Sequence, residues 1–438
     1  MARSRVVITG FGAITPLGLT VGDMWAGLCA GKVGINTITA FDPSGFNCKI
    51  AGQAPEFKIR DFVPKTHRKA TKLMCRDIEL SVVAANEAIR NSGLITKGID
   101  PENVNINPER MAINLGAGLI SCDLVELSPA VAASKNEGQF DIRKWGNIGL
   151  ELVTPLWLLK YLPNMLACHV GIIHDIQGPS NSITCAEVAS HLAIAEASQI
   201  IARGNSDYAL AGGAEAKVNP IVMIRQCLLQ RATTENNDNP SSSCRPFDAD
   251  AKGSVFGEAA GIIVIENLEN AKKRNAKIHA EIAGTGQSTS INSAYKNLEP
   301  DGYGLQIAIE KAIKEAQIEP DQIDLIIPHG TGIPCDDMAE SKAIHSALGE
   351  VASEIPVWPI KSMLSNTGAA SGALDVIAAT CAMKENKIPS SINCDNIAHG
   401  CNLNIVKKTI EKEIKYALCC SYTHGGQTAA VVLKNISE

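Results

Sequence analysis

Two successive rounds of short β-branched runs alternating with longer helical stretches restrict this chain to an α/β architecture. In the first round, Arg5 to Thr9 predicts a strand that ends at a glycine turn, Gly10-Phe-Gly12. Helices are predicted over Lys72–Asn91 and Ala189–Ala202, the former from apolar residues at Leu73, Met74, Ile78, Val82, Val83 and Ala88. Tyr208 to Ala211 predicts a strand closed by the turn Gly212-Gly213, and Gly261 to Glu266 a strand entering the helix around Lys272-Lys273-Arg274. The second round begins near Lys277, with strands over Ile278–Ile282 and Asp324–Pro328 and helices over Gly304–Ala316, Met338–Leu348 and Gly372–Met383. Tyr416–Cys420 and Thr428–Leu433 close it as a strand pair. The repetition predicts a duplicated α/β unit, residues 1–266 and 267–438, packed face to face. No Pro/Ser-rich linker parts the halves; Asn236 to Ser243 reads as an exposed loop.

A length of 438 residues suits one large domain or two joined halves. The net charge of -6 lacks the basic excess that nucleic acid demands, so no nucleic-acid partner is expected. Fourteen cysteines lie scattered, without a C-x-x-C, as buried apolar filler in a reducing compartment does. No metal site follows from them. The basic start carries an apolar run too short for a signal peptide, and no run reaches membrane-spanning length. A cytoplasmic protein is expected.

Gly10-Phe-Gly12-Ala-Ile-Thr15 has the outline of a dinucleotide fingerprint, but Thr15 replaces the third glycine and Pro16 interrupts the receiving helix. A nucleotide site is therefore rejected. Read together, that segment, Gly178-Pro-Ser180, Ala211-Gly-Gly-Ala-Glu215, Arg245-Pro-Phe-Asp-Ala-Asp250 and Phe256-Gly-Glu-Ala-Ala-Gly261 carry another pattern. His329-Gly-Thr-Gly332, Lys361-Ser-Met363 and Gly425-Gly426 continue it in order to the end of the chain. The series resembles the beta-ketoacyl-[acyl-carrier-protein] synthase family, the ketosynthases. The resemblance implies a thiolase-like fold of two duplicated halves in five αβαβα layers, usually dimeric through the first half. It also implies Claisen chemistry on acyl groups delivered as phosphopantetheine thioesters by an acyl carrier protein, with no cofactor of the chain's own.

That chemistry needs a thiolate at a helix N-terminus, two histidines and backbone N–H donors for an oxyanion. By resemblance the nucleophile lies nine residues after Gly178 and twenty-four before Ala211, and both counts reach Glu187. Cys185 is the alternative nucleophile, at the cost of a two-residue gap on each side. The first histidine is His329, while the second falls on Asn366, which cannot titrate. Lys361 matches the family lysine, and Asp337 and Glu340 match acidic positions supporting the histidine. The gate and oxyanion segment falls on Thr423, His424 and Gly425.

Glu187 with Asn366 is closest to the chain length factor, or ketosynthase-beta, subunits of type II polyketide systems, although those usually carry glutamine. The pattern predicts a non-elongating partner of a cysteine-bearing ketosynthase in a heterodimer that sets acyl chain length. Malonyl-carrier-protein decarboxylase or initiation factor, active synthase through Cys185, and vestigial scaffold are the other readings. Trp145 to Ile173, with Leu156-Trp-Leu-Leu159, is either the dimer region or plain core. Lys65, Arg68, Lys69 and Lys72 form the candidate basic patch for an acidic carrier protein, or a solvated face.

Overall fold

Eleven strands join into one mixed sheet in the computed structural model, which describes residues 4–292 and 297–436. They are β1 (Val6–Ile14), β2 (Met111–Ala117), β3 (Ser180–Thr184), β4 (Tyr208–Ala216), β5 (Glu258–Asn267) and β6 (Ala280–Thr289). The others are β7 (Leu325–Ile327), β8 (Pro356–Val357), β9 (Asn404–Ile405), β10 (Tyr416–Tyr422) and β11 (Gln427–Lys434). Their spatial order is β9-β8-β7-β10-β11-β6-β1-β5-β4-β2-β3. From the β6–β1 junction outward, each side repeats one scheme: an antiparallel neighbour, a second antiparallel pairing, then two parallel ones, to which the β6 side adds a third parallel pairing, β8 with β9.

The repetition extends to detail. Both junction strands carry a register shift just before a glycine, at Ile8/Gly10 and at Ile282/Gly284. Both place alternate glycines under a helix. A Cβ at Gly10 or Gly12 would collide with the backbone of Ala88 or Ala84 in helix α1 (Arg76–Ser92). A Cβ at Gly284 or Gly286 would likewise strike the helix over Tyr303–Ala316. These glycines let a helix lie directly on the sheet. They are not turns: β1 runs on through Gly10-Phe-Gly12, and β4 through Gly212-Gly213, beyond the predicted strand ends.

Helix α2 (Ala189–Ala202) and helix α3 (Ser371–Glu385) are buried on nearly every face. Both touch strands of both halves, whereas α1 and the Tyr303–Ala316 helix cover the outer faces. The result is the five-layered thiolase-like arrangement, with two inner helices clasped between the halves' strands. Helix α1 starts at Arg76 rather than Lys72, because Cys75 is extended and Ala70–Leu73 forms a separate 3-10 turn. The helix predicted from Met338 begins earlier, at Pro334, with proline in its favoured first turn. Among the described residues no helix is long and apolar enough to cross a membrane.

The Trp145–Ile173 stretch is not plain core. Ile148, Leu150, Leu152, Leu156, Leu158 and Ile172 each expose about half or more of their surface, as do Leu119, Val125, Phe140 and Ile142 upstream. Strand β3 is an edge, hydrogen-bonded on one side only, to β2.

Candidate active site

Strand β3 leaves the sheet at Thr184 and turns at once into the inner helix α2 through a single 3-10 turn, Ala186–Val188. The reversal forces Ala186 into the left-handed region, φ 46°, which a side chain with a Cβ adopts only under constraint. The next residue, Glu187, is 1 % exposed. Its carboxylate lies 3.4 Å from the Lys217 ammonium and accepts a 2.8 Å hydrogen bond from the Thr423 hydroxyl. Burial alone would push the carboxyl up. Lys217 and then Arg231 overcome that and hold it far below the usual carboxylate range, and the His424 and His329 rings add to this only once acid protonates them. Glu187 is an anion.

Lys217 is equally buried and bridges two carboxylates, Glu187 at 3.4 Å and Glu215 at 3.2 Å. Burial opposes its charge, but both carboxylates raise its pKa above that of a free lysine. Its ammonium also lies 5.4 Å from the centre of the Phe256 ring. Room for Lys217 and Glu215 comes from Gly368 (φ 60°), where a Cβ would overlap both side chains. Glu215 accepts in turn from the Ala369 N–H at 2.8 Å.

His329 is 1 % exposed and lies edge-on to Tyr422, ring centres 4.5 Å apart. Burial first, and then the Lys361 charge, keep it neutral. Its Nδ1 has no hydrogen-bond partner among the described residues. Asp337 and Glu340 act on its loop rather than its ring. Glu340 accepts from the His329 and Gly330 N–H groups at 2.6 and 2.8 Å, and Asp337 from those of Thr331 and Phe247, each at 2.8 Å. Lys361 pairs at 3.3 Å with Asp375, on α3. Asn366 is buried and closes its own turn, its Oδ1 accepting from the Gly368 N–H at 3.1 Å. That turn packs on Ala186–Val188, so Asn366 reaches the cluster through Gly368.

Thr423, His424 and Gly425 form the loop joining β10 to β11, with Thr423 buried, Gly425 exposed and His424 30 % exposed. Cys185 is half-buried, and burial pushes its thiol up with no cation counteracting it. Lys65, Arg68, Lys69 and Lys72 are all exposed, in and beside two 3-10 turns on the surface. Sequence reasoning missed Lys217, Glu215, Asp375 and the buried pair Arg231–Asp336 at 2.9 Å. Lys217 stands two positions beyond the Ala-Gly-Gly-Ala-Glu motif, on the same side of an extended chain as Glu215. That spacing was the available signal. Among the described residues no cluster of His, Cys, Asp and Glu is arranged to hold a metal.

Residues 3–271 match the beta-ketoacyl synthase N-terminal domain and residues 279–395 the beta-ketoacyl synthase C-terminal domain. The chain belongs to the beta-ketoacyl synthase family. It is similar to 3-oxoacyl-[acyl-carrier-protein] synthase 2 of Vibrio harveyi, 31 % identical with 100 % of both chains covered. Similarity to the synthase 2 of Vibrio cholerae is at 32 % with the same coverage. Among solved structures, the ishigamide ketosynthase/chain length factor superposes with TM-score 0.84 at 28 % identity over 100 % of both chains. A ketosynthase in complex with its type II polyketide acyl-carrier protein superposes with TM-score 0.85 at 26 % identity, covering 99 % of this chain and 100 % of that one. The ketosynthase fold thus brings Glu187, His329, Lys361 and the neighbouring pair Thr423 and His424 from four separate segments to the inner end of α2.

The buried acids of this ketosynthase site make its stability pH-dependent. Burial raises Glu340 to about 8 and Asp337 to about 7. A raised folded pKa favours the folded state below the unfolded value, about 4.3 for glutamate, and that contribution is lost as pH rises towards the folded pKa. Thermal melts of the Glu340→Gln variant are expected to fall less steeply than wild type between about pH 4.3 and about 8. Parallel slopes would show that Glu340 stays charged.

Proposed function

We propose that this ketosynthase-family chain is the non-elongating member of a heterodimer, paired with a cysteine-bearing ketosynthase whose acyl chain length it helps to set. The observation that carries the reading is the state of Glu187: buried, anionic and tied to Lys217 and Thr423. A carboxylate so engaged cannot take over an acyl thioester as a thiolate does. Cys185 offers no substitute, since its thiol is pushed up and unactivated.

The anion also argues against the decarboxylase reading. A malonyl group carries its own carboxylate, and a like charge inside a low-dielectric pocket repels it strongly. The exposed apolar residues between Leu119 and Ile172, with the unpaired edge of β3, favour a permanent partner. Likeness to a ketosynthase/chain length factor assembly supports the pairing. Lys65, Arg68, Lys69 and Lys72 are available to meet an acidic carrier protein bearing the phosphopantetheine thioester.

Co-expression with a cysteine-bearing ketosynthase is expected to yield a mixed dimer. Condensation by that dimer is expected to vanish when the partner's cysteine becomes alanine and to persist for Cys185→Ser in this chain. Exclusive homodimers of both proteins would overturn the reading.

A further inference from the structure

Of the groups gathered around Glu187, His424 has a substantial part of its surface open. It is 30 % exposed, against 1 % for both Glu187 and His329. Its Nδ1 stands 4.0 Å from Glu187 Oε2, and the Thr423 hydroxyl lies between, 2.8 Å from the carboxylate and 3.4 Å from Nδ1. The proton positions follow from what each group can do. An ionised carboxylate only accepts, so the single Thr423 hydroxyl hydrogen goes to Glu187. Thr423 Oγ1 can then meet His424 only as an acceptor, which places the imidazole hydrogen on Nδ1. Nε2 is left with a free lone pair.

We infer that Glu187, Thr423 and His424 form a relay in which His424 is the general base of a water-dependent thioester hydrolysis, acting on neutral acyl groups carried on a pantetheine-type thiol. The inference goes beyond the non-elongating role and gives the re-equipped site an activity of its own. The parts resemble in logic a carboxylate–histidine pair that activates a nucleophile, with water as the nucleophile because no thiolate is present. His424 Nε2 takes a proton from water while the water oxygen bonds to the thioester carbonyl carbon. The C–S bond then breaks, and the proton on His424 passes to the departing sulfur. The products are a carboxylic acid and the free thiol, so atoms and protons balance without another reactant.

Surrounding charges suit the task. Burial lowers the affinity of His424 for a proton, Glu187 raises it, and Arg231, Lys217 and Arg225 lower it again. The ring is therefore neutral at rest, and the imidazolium formed in the reaction faces a fixed anion. The same anion sets specificity: neutral acyl groups are accepted, and malonyl groups, with a second carboxylate, are disfavoured. Glu187 and Thr423 act as positioning residues, and only His424 touches the water.

The test is release of free thiol from butyryl-pantetheine and malonyl-pantetheine by the purified full chain, alone and in its mixed dimer. Wild type is expected to hydrolyse the butyryl thioester, and His424→Gln to lose on the order of 10²–10⁴-fold. Malonyl-pantetheine is expected to react more slowly than butyryl-pantetheine. Thr423→Val should slow the reaction and move the acid limb of the pH–rate profile to lower pH, whereas Thr423→Ser should keep both near wild type. A merely structural threonine would not move that limb. Equal rates for wild type and His424→Gln, or for Thr423→Val and wild type, overturn the inference, and the threonine pair decides it should the glutamine variant fail to fold. Dimer formation is scored on the same samples, so hydrolysis can fail while the pairing stands, and the reverse.

Discussion

Replacing Lys217 with methionine is expected to cost about 3–5 kcal/mol of stability, the range for removing one partner from a buried ion pair. Lys217 holds two buried carboxylates, so its loss leaves Glu187 and Glu215 buried without the cation that bridges them. Glu187→Gln is the milder change. Lys217 keeps Glu215, the amide oxygen still accepts from Thr423, and the expected loss is about 1.5–3 kcal/mol, that of one charged hydrogen bond. Glu187→Gln on top of Lys217→Met should restore part of what methionine took, because one of the two stranded anions is gone.

The pH dependence carries a second signature. In wild type the folded pKa of Glu187 is depressed, so its contribution is present above the unfolded value, about 4.3, and lost as pH falls below it. In the methionine variant burial acts unopposed by Lys217, and acid relieves the repulsion. The variant's deficit should therefore be largest near neutrality and shrink on acidification. Thermal unfolding of the four proteins across pH reads both effects, and equal losses for the two single variants would refute a bridged ion pair.

Much of this arrangement was legible in the sequence because the family's motifs sit at element ends. His329-Gly-Thr-Gly332 follows β7, and Thr423 to Gly425 joins β10 to β11, the places at which the resemblance to the family implied a common site. Between Gly178 and Ala211 the chain runs through β3, the 3-10 turn and α2, so the position reached by both counts lies in the turn that opens the inner helix. Strand ends at glycines were misjudged. Gly10, Gly12, Gly212 and Gly213 are needed for close approach by other backbone, not for a turn, and composition cannot tell these apart. Lys217 was invisible for a different reason. A lysine near a strand end normally points to water, and only the tertiary fold shows two carboxylates waiting on the same side. Asp375 was hidden likewise, the one buried carboxylate on an inner helix otherwise apolar or small from Ser371 to Met383.

Glu187→Cys is expected to produce a thiol that is largely ionised at neutral pH yet supports no elongation. The position is the first turn before a buried helix, and it faces Lys217, Arg231 and His424. Those are the surroundings that lower a thiol from about 8.5 to between about 3.5 and 7.5. A thiolate absorbance titration should show one new group in that range, and the variant should accept an acyl group from an acyl-carrier thioester where wild type does not. Elongation demands more. Decarboxylation of malonyl thioester in this family's chemistry calls on two histidines, and Asn366 offers only an amide whose Oδ1 is already committed to the Gly368 N–H. Once that thiolate is acylated, position 187 is neutral and malonyl groups are no longer repelled, so the missing histidine becomes the sole barrier. Glu187→Cys with Asn366→His is therefore expected to gain condensing activity, measured as 3-oxoacyl product, while either single variant stays at background. Condensation by the cysteine variant alone would show that His329 suffices, and that Glu187 by itself keeps this chain from elongating.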